Sequence, residues 1–294
     1  MNINSRIDLL SISSDAFFMK KALYFRDGIE SSNLKEHLDN TVIDFPKGTD
    51  KRFSEMRAKT LVGEVIPAFR IAQWKADKYP TIIYHHGALE EAYDHSFQRI
   101  FPTQMIKIPV NFIVVRSPFY ANPRDFKSGI RSLDNFTALL ATSTKLIEHL
   151  VLMAREIGSE FVTVAGLDMG GFISNIHHTY FNSADYYKPC LAGTSIDETF
   201  LNTVYSKLMS PLALNNKDMI RKALNLEKDF SQVDNSKVHP LLAKYDRVVE
   251  LNRQKKYYRD ENITIIDKGH ITGTMSLRSL RQHILKFVYD YGKE

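Results

Sequence analysis

The stretch FVTVAGLDMGGFISNIHHTYF, residues 161–181, decides the fold. Its first part is short, apolar and β-branched, which is typical of a strand buried on both faces, and its last part is helical in pattern. Gly166 and Gly170 lie two residues before and two residues after Asp168. Because glycine tolerates tight backbone geometry, this spacing predicts a sharp turn from strand to helix, with the Asp168 side chain presented at its apex.

Short apolar segments on both sides of this stretch predict further strands of one sheet. Each is bounded by Gly, Pro or polar residues, as buried strands are. Helices are predicted over Asp134–Ile157, where apolar residues recur at helical spacing, and over about Ser276–Tyr289. Strands that alternate with helices indicate an α/β domain with a mainly parallel sheet. The other predicted strands are two within Phe53–Trp74, then Thr81–Tyr84, Asn111–Val115, Pro189–Ala192, Val238–Ala243 and Asn262–Ile266.

Three further polar segments follow predicted strands. Asp246 comes after the apolar segment VHPLLAK, His270 comes after NITII, and the residues YHHGA at 84–88 close the strand TIIY. Because α/β sheets build their sites at the carboxyl ends of the strands, we expect these groups to lie near Asp168.

The chain order Asp168, Asp246, His270 resembles the α/β-hydrolase family, in which a nucleophile, an acid and a histidine follow one another in that order. The HG pair at 86–87 is similar to the family's loop that forms part of the oxyanion hole. The resemblance covers roughly residues 53–287. It implies an α/β-hydrolase fold, with a mainly parallel central sheet flanked by helices, and Asp168, Asp246 and His270 in the nucleophile, acid and base positions. The oxyanion or substrate-binding residues that it implies are His86, Gly87, Ala88 and Met169.

We expect three parts along the chain. Residues 1–50 form a helical N-terminal extension, residues 51–294 form the α/β-hydrolase domain, and residues from about 197 to 235 form a small lid.

Aspartate at the apex of the turn is similar to the G-x-D-x-G elbows of haloalkane dehalogenases and epoxide hydrolases. A carboxylate is already anionic near neutral pH and attacks an sp³ carbon, and His270, oriented by Asp246, would activate water against the resulting ester. The chain departs from both groups. Its loop is HGAL at 86–89 rather than H-G-x-P. Dehalogenases often have a tryptophan beside the nucleophile, whereas this chain has Met169 there, and its one tryptophan, Trp74, lies on an early predicted strand.

Several alternatives stay open at this point. Attack of Asp168 on an ester, through a mixed anhydride, is one. Another is an impaired or non-catalytic protein that binds a small molecule or a partner, because a histidine between two carboxylates is held as imidazolium, a poor base. A third is that Asp168 only caps the N-terminus of the following helix, and a fourth is that Asp197, rather than Asp246, is the acid of the triad. The tyrosines considered for protonating an opening epoxide are Tyr180, Tyr186, Tyr187 and Tyr205.

Composition narrows the class of protein. The chain has 294 residues, of which 44% are apolar and 25% charged, which excludes a disordered or fibrous chain. The charge balance of 39 − 34 = +5 is spread along the chain, so no nucleic-acid partner is expected. His85 and His86 have no third ligand at a suitable spacing, so no metal is expected. The expected hydrolase uses Asp168, Asp246 and His270 without a cofactor.

The remaining expectations concern location and partners. Cys190 is the one cysteine, which excludes an internal disulfide and favours a reducing compartment. No signal-peptide pattern and no run of ~18 apolar residues is found, so a cytoplasmic location and no membrane partner are expected. The expected partner is a small-molecule substrate, and the sequence does not determine an oligomeric state.

Overall fold

The computed structural model describes residues 2–18, 23–45, 53–90, 92–102, 108–121 and 123–291. Its strands are β1 Val42–Ile43, β2 Phe53–Glu55, β3 Ala58–Thr60, β4 Gly63–Val65, β5 Ala68–Gln73, β6 Thr81–His85, β7 Asn111–Arg116, β8 Val162–Leu167, β9 Tyr186–Cys190, β10 Leu241–Ala243 and β11 Thr264–Ile266. Its α-helices are α1 Ile3–Phe18, α2 Leu34–Asp39, α3 His95–Ile100, α4 Pro123–Gly129, α5 Leu133–Ile157, α6 Met169–Tyr180, α7 Ile196–Asn202, α8 Pro211–Asn215, α9 Lys217–Leu224, α10 Glu227–Ser231, α11 Leu251–Gln254, α12 His270–Thr274, α13 Leu277–Ile284 and α14 Lys286–Tyr291. Short 3-10 helices cover Val204–Leu208, Asn235–Lys237, Lys255–Tyr257 and Asp260–Asn262.

The central sheet has eight strands in the order β11-β10-β9-β8-β6-β7-β5-β2. The strands from β11 to β7 run parallel, and β5 and β2 are antiparallel to their neighbours. A separate antiparallel sheet has the order β1-β3-β4. The predicted α/β architecture with a mainly parallel sheet is therefore confirmed.

The central strands are buried on both faces, which explains their continuous apolar runs. In β6, Ile83 faces the core that contains residues of α5, whereas Ile82 and Tyr84 face the core that contains residues of α3 and α13. Because successive side chains of a strand point to opposite faces, one short strand contributes to both cores.

Helix α5 confirms the helix predicted over Asp134–Ile157. The Ser132 side chain caps its N-terminus by accepting from the Asn135 N–H, and Gly158 ends it with a φ of +107°. Within the described residues it is the one helix long and apolar enough to cross a bilayer, by length and composition alone. Of its most apolar window 78% is buried inside the protein, as in the core helix of a globular domain.

Some predicted boundaries are wrong. Strand β9 begins at Tyr186, three residues before the predicted start, because the fully buried Lys188 interrupts the apolar pattern without interrupting the pairing with β8. The predicted strand over 238–243 is shortened to Leu241–Ala243. The predicted C-terminal helix is divided into α13 and α14 at Leu285, and Trp74 lies directly after β5.

The N-terminal residues include α1 and α2. Helix α1 packs against α12 and the 3-10 helix Val204–Leu208, and α2 packs against α5. The boundary expected at residues 50 and 51 lies outside the described residues. The segment predicted as a lid consists of short helices, from α7 to α10.

Candidate active site

Asp168 lies between β8 and α6 in a strained backbone conformation. Its φ of +52° and ψ of −115° are rarely adopted by an L residue, at a cost of about 1–3 kcal/mol. A Cβ atom on Gly166 would overlap the backbone carbonyl of Gly170, and one on Gly170 would overlap the carbonyl oxygen of His85. Both positions therefore require glycine, and the tight turn predicted at Asp168 is present.

The two oxygens of the Asp168 carboxylate have different partners. The backbone N–H of Ala88 donates to Oδ2 at 3.0 Å. His270 Nε2 lies 3.4 Å from Oδ1, and 21% of the Asp168 side chain is exposed. One oxygen is thus held by a backbone donor, whereas the other faces an imidazole.

His270 also contacts Asp246. Its Nδ1 lies 2.9 Å from Asp246 Oδ2, and Asp246 Oδ1 accepts from the N–H groups of Val248 at 2.7 Å and Val249 at 2.6 Å. Burial opposes charge on the imidazole, but the Asp246 and Asp168 carboxylates outweigh it and hold the pKa of His270 well above its ordinary value of 6.5. The two carboxylates therefore favour the imidazolium form of His270.

The alternative acid, Asp197, lies in a different environment. Its carboxylate accepts from Asn225 Nδ2 at 3.2 and 3.3 Å, while Asp246 occupies the place beside the imidazole. The structure thus brings together Asp168, Asp246 and His270.

Two backbone N–H groups of the loop after β6 have different partners. The N–H of Gly87 donates to Glu90 Oε1 at 2.6 Å, and the N–H of Ser96 donates to Glu90 Oε2 at 2.8 Å. Ala88 therefore supplies the N–H that reaches Asp168. Met169 begins α6, so its N–H has no partner within the helix and is a second candidate donor beside Asp168.

His85 and His86 are buried, and their side chains contact the backbone of this loop. Their Nδ1 atoms contact the carbonyl oxygens of His86 and Gly87 at 2.9 and 2.7 Å. Burial lowers the pKa of both imidazoles, that of His85 to about 4, so both are neutral. In the described part of the chain, no group of three or more His, Cys, Asp or Glu side chains is placed to hold a metal ion.

Two cavities meet at Asp168, and both are also lined by Ala88 and Tyr205. One cavity is apolar, and its other lining residues include Tyr24, Phe136, Leu140, Met169, Phe172 and Phe200. The other is more polar, and its lining includes Ile12, Asp15, Glu90, Arg99, His270 and Leu277.

The structure distinguishes among the candidate tyrosines. The hydroxyl groups of Tyr205 and Tyr24 lie 3.0 Å apart in the apolar cavity. Burial raises the pKa of both phenols, and the Asp168 charge adds to this, so both stay protonated. By contrast, the hydroxyl of Tyr180 donates to Asp229 at 2.7 Å, and that of Tyr187 contacts His177.

Two residues near the site were not predicted. Glu90 follows Gly87 by only three residues, and this closeness to the HG pair could have indicated from the sequence that Glu90 lies at the site. Burial raises the pKa of Glu90 to about 7. Tyr24 has no such signal, because it reaches the site from a distant segment of the chain.

A family model described as alpha/beta hydrolase domain containing 18 matches residues 65–272, well over half of the chain. The chain belongs to this family. The matched segment contains Ala88, Asp168, Asp246 and His270, so the match to the alpha/beta hydrolase domain containing 18 family includes all four of these residues. The hydrolase family expected from the resemblance is thereby confirmed, while the role of aspartate in place of serine stays a prediction. No curated protein matches the sequence.

Solved structures similar to this family member are α/β hydrolases. An acylaminoacyl peptidase from Pyrococcus horikoshii is 14% identical with a TM-score of 0.55, over 83% of this chain and 42% of the peptidase chain. Est1E from Butyrivibrio proteoclasticus is 11% identical with a TM-score of 0.52, over 85% of this chain and 99% of that chain. The esterase Pf2001 from Pyrococcus furiosus is 12% identical with a TM-score of 0.50, over 86% and 95%. The similarity confirms the α/β-hydrolase fold, and the chain spans less than half the length of the peptidase.

Proposed function

We propose that the protein is a cofactor-independent hydrolase that opens a carbon–oxygen or carbon–halogen bond of a small organic molecule through an ester on Asp168. The observation that carries the proposal is that the two oxygens of Asp168, a residue that lines both cavities, have different partners. Oδ2 accepts from the Ala88 N–H, and Oδ1 lies 3.4 Å from His270 Nε2. A carboxylate held in this way is oriented by its Oδ2, and its Oδ1 can act as the nucleophile.

In the first step, Oδ1 attacks an sp³ carbon of the substrate. The bond from that carbon to its leaving oxygen or halide breaks, and the leaving group takes the electron pair. The product is an alkyl ester in which Oδ2 becomes the carbonyl oxygen. This oxygen already accepts from the Ala88 N–H, so the oxyanion donor is in place before the second step begins.

The same step changes the charge beside His270. When Asp168 becomes an ester it loses its negative charge, and one of the two carboxylates that favour imidazolium is removed. The pKa of His270 then falls. Its proton passes to the leaving oxygen, or to solvent when the leaving group is a halide, and the neutral imidazole becomes a base.

In the second step, His270 takes a proton from water while the water oxygen attacks the ester carbonyl carbon. Ala88 stabilises the negative charge that develops on Oδ2, with Met169 as the second donor. The tetrahedral intermediate collapses, and the product alkoxide leaves with the proton from His270. The proton left on the new carboxyl group of Asp168 passes to His270, which restores the starting ion pair.

An epoxide is the substrate that this cavity favours. The hydroxyl groups of Tyr24 and Tyr205 are hydrogen-bonded to each other in this cavity, so the pair has one O–H left to donate. A strained ether oxygen is the group that this donor would hold while its bond opens. The surrounding wall is apolar, which fits a hydrocarbon substituent on the epoxide.

Oxygen labelling tests the proposal. The enzyme in excess over an epoxide, in ¹⁸O-water, is expected to gain one ¹⁸O in the peptide that contains Asp168, while the product diol carries unlabelled enzyme oxygen. In His270→Gln the second step is blocked, so mass spectrometry should find an alkyl adduct on Asp168. The matched control is His149→Gln, a half-buried histidine on α5 outside both cavities.

The outcomes separate the alternatives. Label that enters the diol and never the protein would mean direct attack by water, which contradicts an ester on Asp168. Turnover of p-nitrophenyl esters but not of epoxides or haloalkanes would indicate ester hydrolysis through an anhydride. No adduct and no label with any of the three substrates would favour a protein that binds without catalysis.

A further inference from the structure

Asp8 is a fully buried carboxylate on α1, far in sequence from the candidate triad. Its Oδ2 accepts from the backbone N–H groups of His270 at 2.7 Å and Arg247 at 3.1 Å, and its Oδ1 accepts from the N–H of Ile271 at 2.9 Å. Arg247 lies in the loop after β10, which carries the acid, whereas His270 and Ile271 are the first two residues of α12, at the end of the loop after β11. One side chain therefore joins these two loops to a third segment of the chain.

We propose that Asp8 is a positioning residue that fixes Asp246 and His270 relative to each other, so that the N-terminal helix is a component of the active site. This inference rests on the proposed function only where it concerns the effect of Asp8 on catalysis. The geometric part concerns the conformation of the two loops and stands on the hydrogen bonds alone.

Neighbouring contacts of α1 reinforce this attachment. Ser5 Oγ donates to the carbonyl oxygen of Tyr245 at 3.0 Å, and Thr272 Oγ1 donates to Asn4 Oδ1 at 2.9 Å. A Cβ atom on Gly269 would lie 2.8 Å from both oxygens of Asp8, so glycine at that position lets the helix approach the loop. The helix thus contacts the residues directly before Asp246 and on both sides of His270.

A carboxylate suits this position because it has two oxygens and no hydrogen-bond donor. Three backbone N–H groups converge on it, and a buried N–H without a partner is unfavourable. An amide side chain supplies one acceptor oxygen and turns its NH₂ group toward the remaining donors. The side chains of Asp168 and Asp246 face the His270 imidazole, and Asp8 adds a third negative charge at the His270 backbone.

Replacement of this carboxylate tests the inference. We compare wild type, Asp8→Asn and the matched control Ser14→Ala, which alters an exposed residue on the same helix. The first readout is the titration of the His270 imidazole by ¹⁵N NMR, assigned from the signals that disappear in His270→Gln. We expect Asp8→Asn to shift the His270 resonances and lower the pKa of His270, because one negative charge is lost and the loop loses its anchor, while Ser14→Ala leaves them unchanged.

The second readout is catalysis on the epoxide substrate. We expect kcat to fall about 10- to 100-fold in Asp8→Asn while KM changes little, because Asp8 contacts the loops rather than the substrate. Asp8→Glu keeps the charge and both acceptors, and partial recovery of kcat and of the His270 titration is expected for it. A role in stability alone would leave the His270 titration of the folded variant unchanged.

An Asp8→Asn protein that is folded and shows the wild-type His270 titration would overturn the inference. If Asp8→Asn does not fold, Asp8→Glu provides the test, because its longer side chain displaces the carboxylate from the three N–H groups. A wild-type His270 titration and a wild-type kcat in Asp8→Glu would then overturn the inference equally. A wild-type protein with no turnover but a shifted titration in Asp8→Asn would overturn the proposed function and leave this inference intact.

Discussion

The N–H of Ala88 donates to Asp168 Oδ2 at 3.0 Å, so the side chain in the nucleophile position also occupies the donor that would stabilise an oxyanion. A serine at the same position has one oxygen and leaves that N–H free. The identity of residue 168 therefore decides whether the Ala88 N–H is occupied by the protein itself, and under the proposed function we expect this to determine which substrates react.

Asp168→Ser is expected to create cleavage of p-nitrophenyl esters. Ala88 would become available to a substrate carbonyl, and one oxyanion donor contributes about 10²–10³-fold to the rate. Initial rates of p-nitrophenol release from short-chain esters measure the gain over wild type. The control is Asp168→Ser with His270→Gln, in which the gain should disappear, and an absence of gain in the single variant would mean that the remaining groups are not arranged for acyl transfer.

Asp246→Asn is expected to lower kcat by about 10³–10⁴-fold, with little change in KM. The carboxylate contacts His270 Nδ1 at 2.9 Å and favours the tautomer and charge that the second step requires. Single-turnover kinetics on the epoxide should place the loss in ester hydrolysis, so the Asp168 adduct accumulates. Asp197→Asn is the matched control, and an equal loss in that variant would contradict the assignment of Asp246 as the acid.

Tyr205→Phe is expected to slow formation of the Asp168 ester by about 10²–10⁴-fold, because the opening oxygen loses a donor. Hydrolysis of an ester that has already formed should be unaffected. Rapid-quench measurement of adduct formation tests this. Tyr180→Phe removes a hydroxyl that donates to Asp229, outside both cavities, and should leave the rate at the wild-type value. A normal rate in Tyr205→Phe would remove the argument for an epoxide.

Lys188→Met is expected to stabilise the fold by about 1–3 kcal/mol at pH 7, because an unpaired polar group is removed from the interior. Lys188 is fully buried in β9, and among the described residues its Nζ has no hydrogen-bond partner. The Nζ lies 4.0 Å from the centre of the Phe287 ring. Burial lowers the pKa of Lys188 from 10.5 to about 7.

The pH dependence of unfolding gives this prediction a second check. Between about pH 7 and 10.5 the unfolded chain binds the Lys188 proton that the folded protein has released, so the contribution of Lys188 to stability rises with pH. Urea unfolding should therefore show the advantage of Lys188→Met shrinking as pH increases. Lys222→Met, at an exposed position on α9, is the control, and a destabilised Lys188→Met protein would contradict the argument.

The sequence by itself predicted the features that depend on neighbours along the chain. The turn at Asp168 follows from glycines two residues away, and the central strands follow from their apolar runs, because backbone sterics and burial periodicity act over a few residues. The position of Asp168, Asp246 and His270 after predicted strands, together with the resemblance of their order to the α/β-hydrolase family, also predicted that they would lie close together. Where a buried polar group broke the pattern, as Lys188 does in β9, the predicted boundary was wrong.

Only the tertiary structure decided the contacts between distant segments. It placed Asp246 rather than Asp197 beside His270, and it paired Tyr205 with Tyr24. It also brought Asp8 to the backbone of His270, 262 residues away. Hydrogen bonds between side chains and backbone groups so far apart leave no periodic trace in the sequence, because they depend on how whole helices and loops pack against one another.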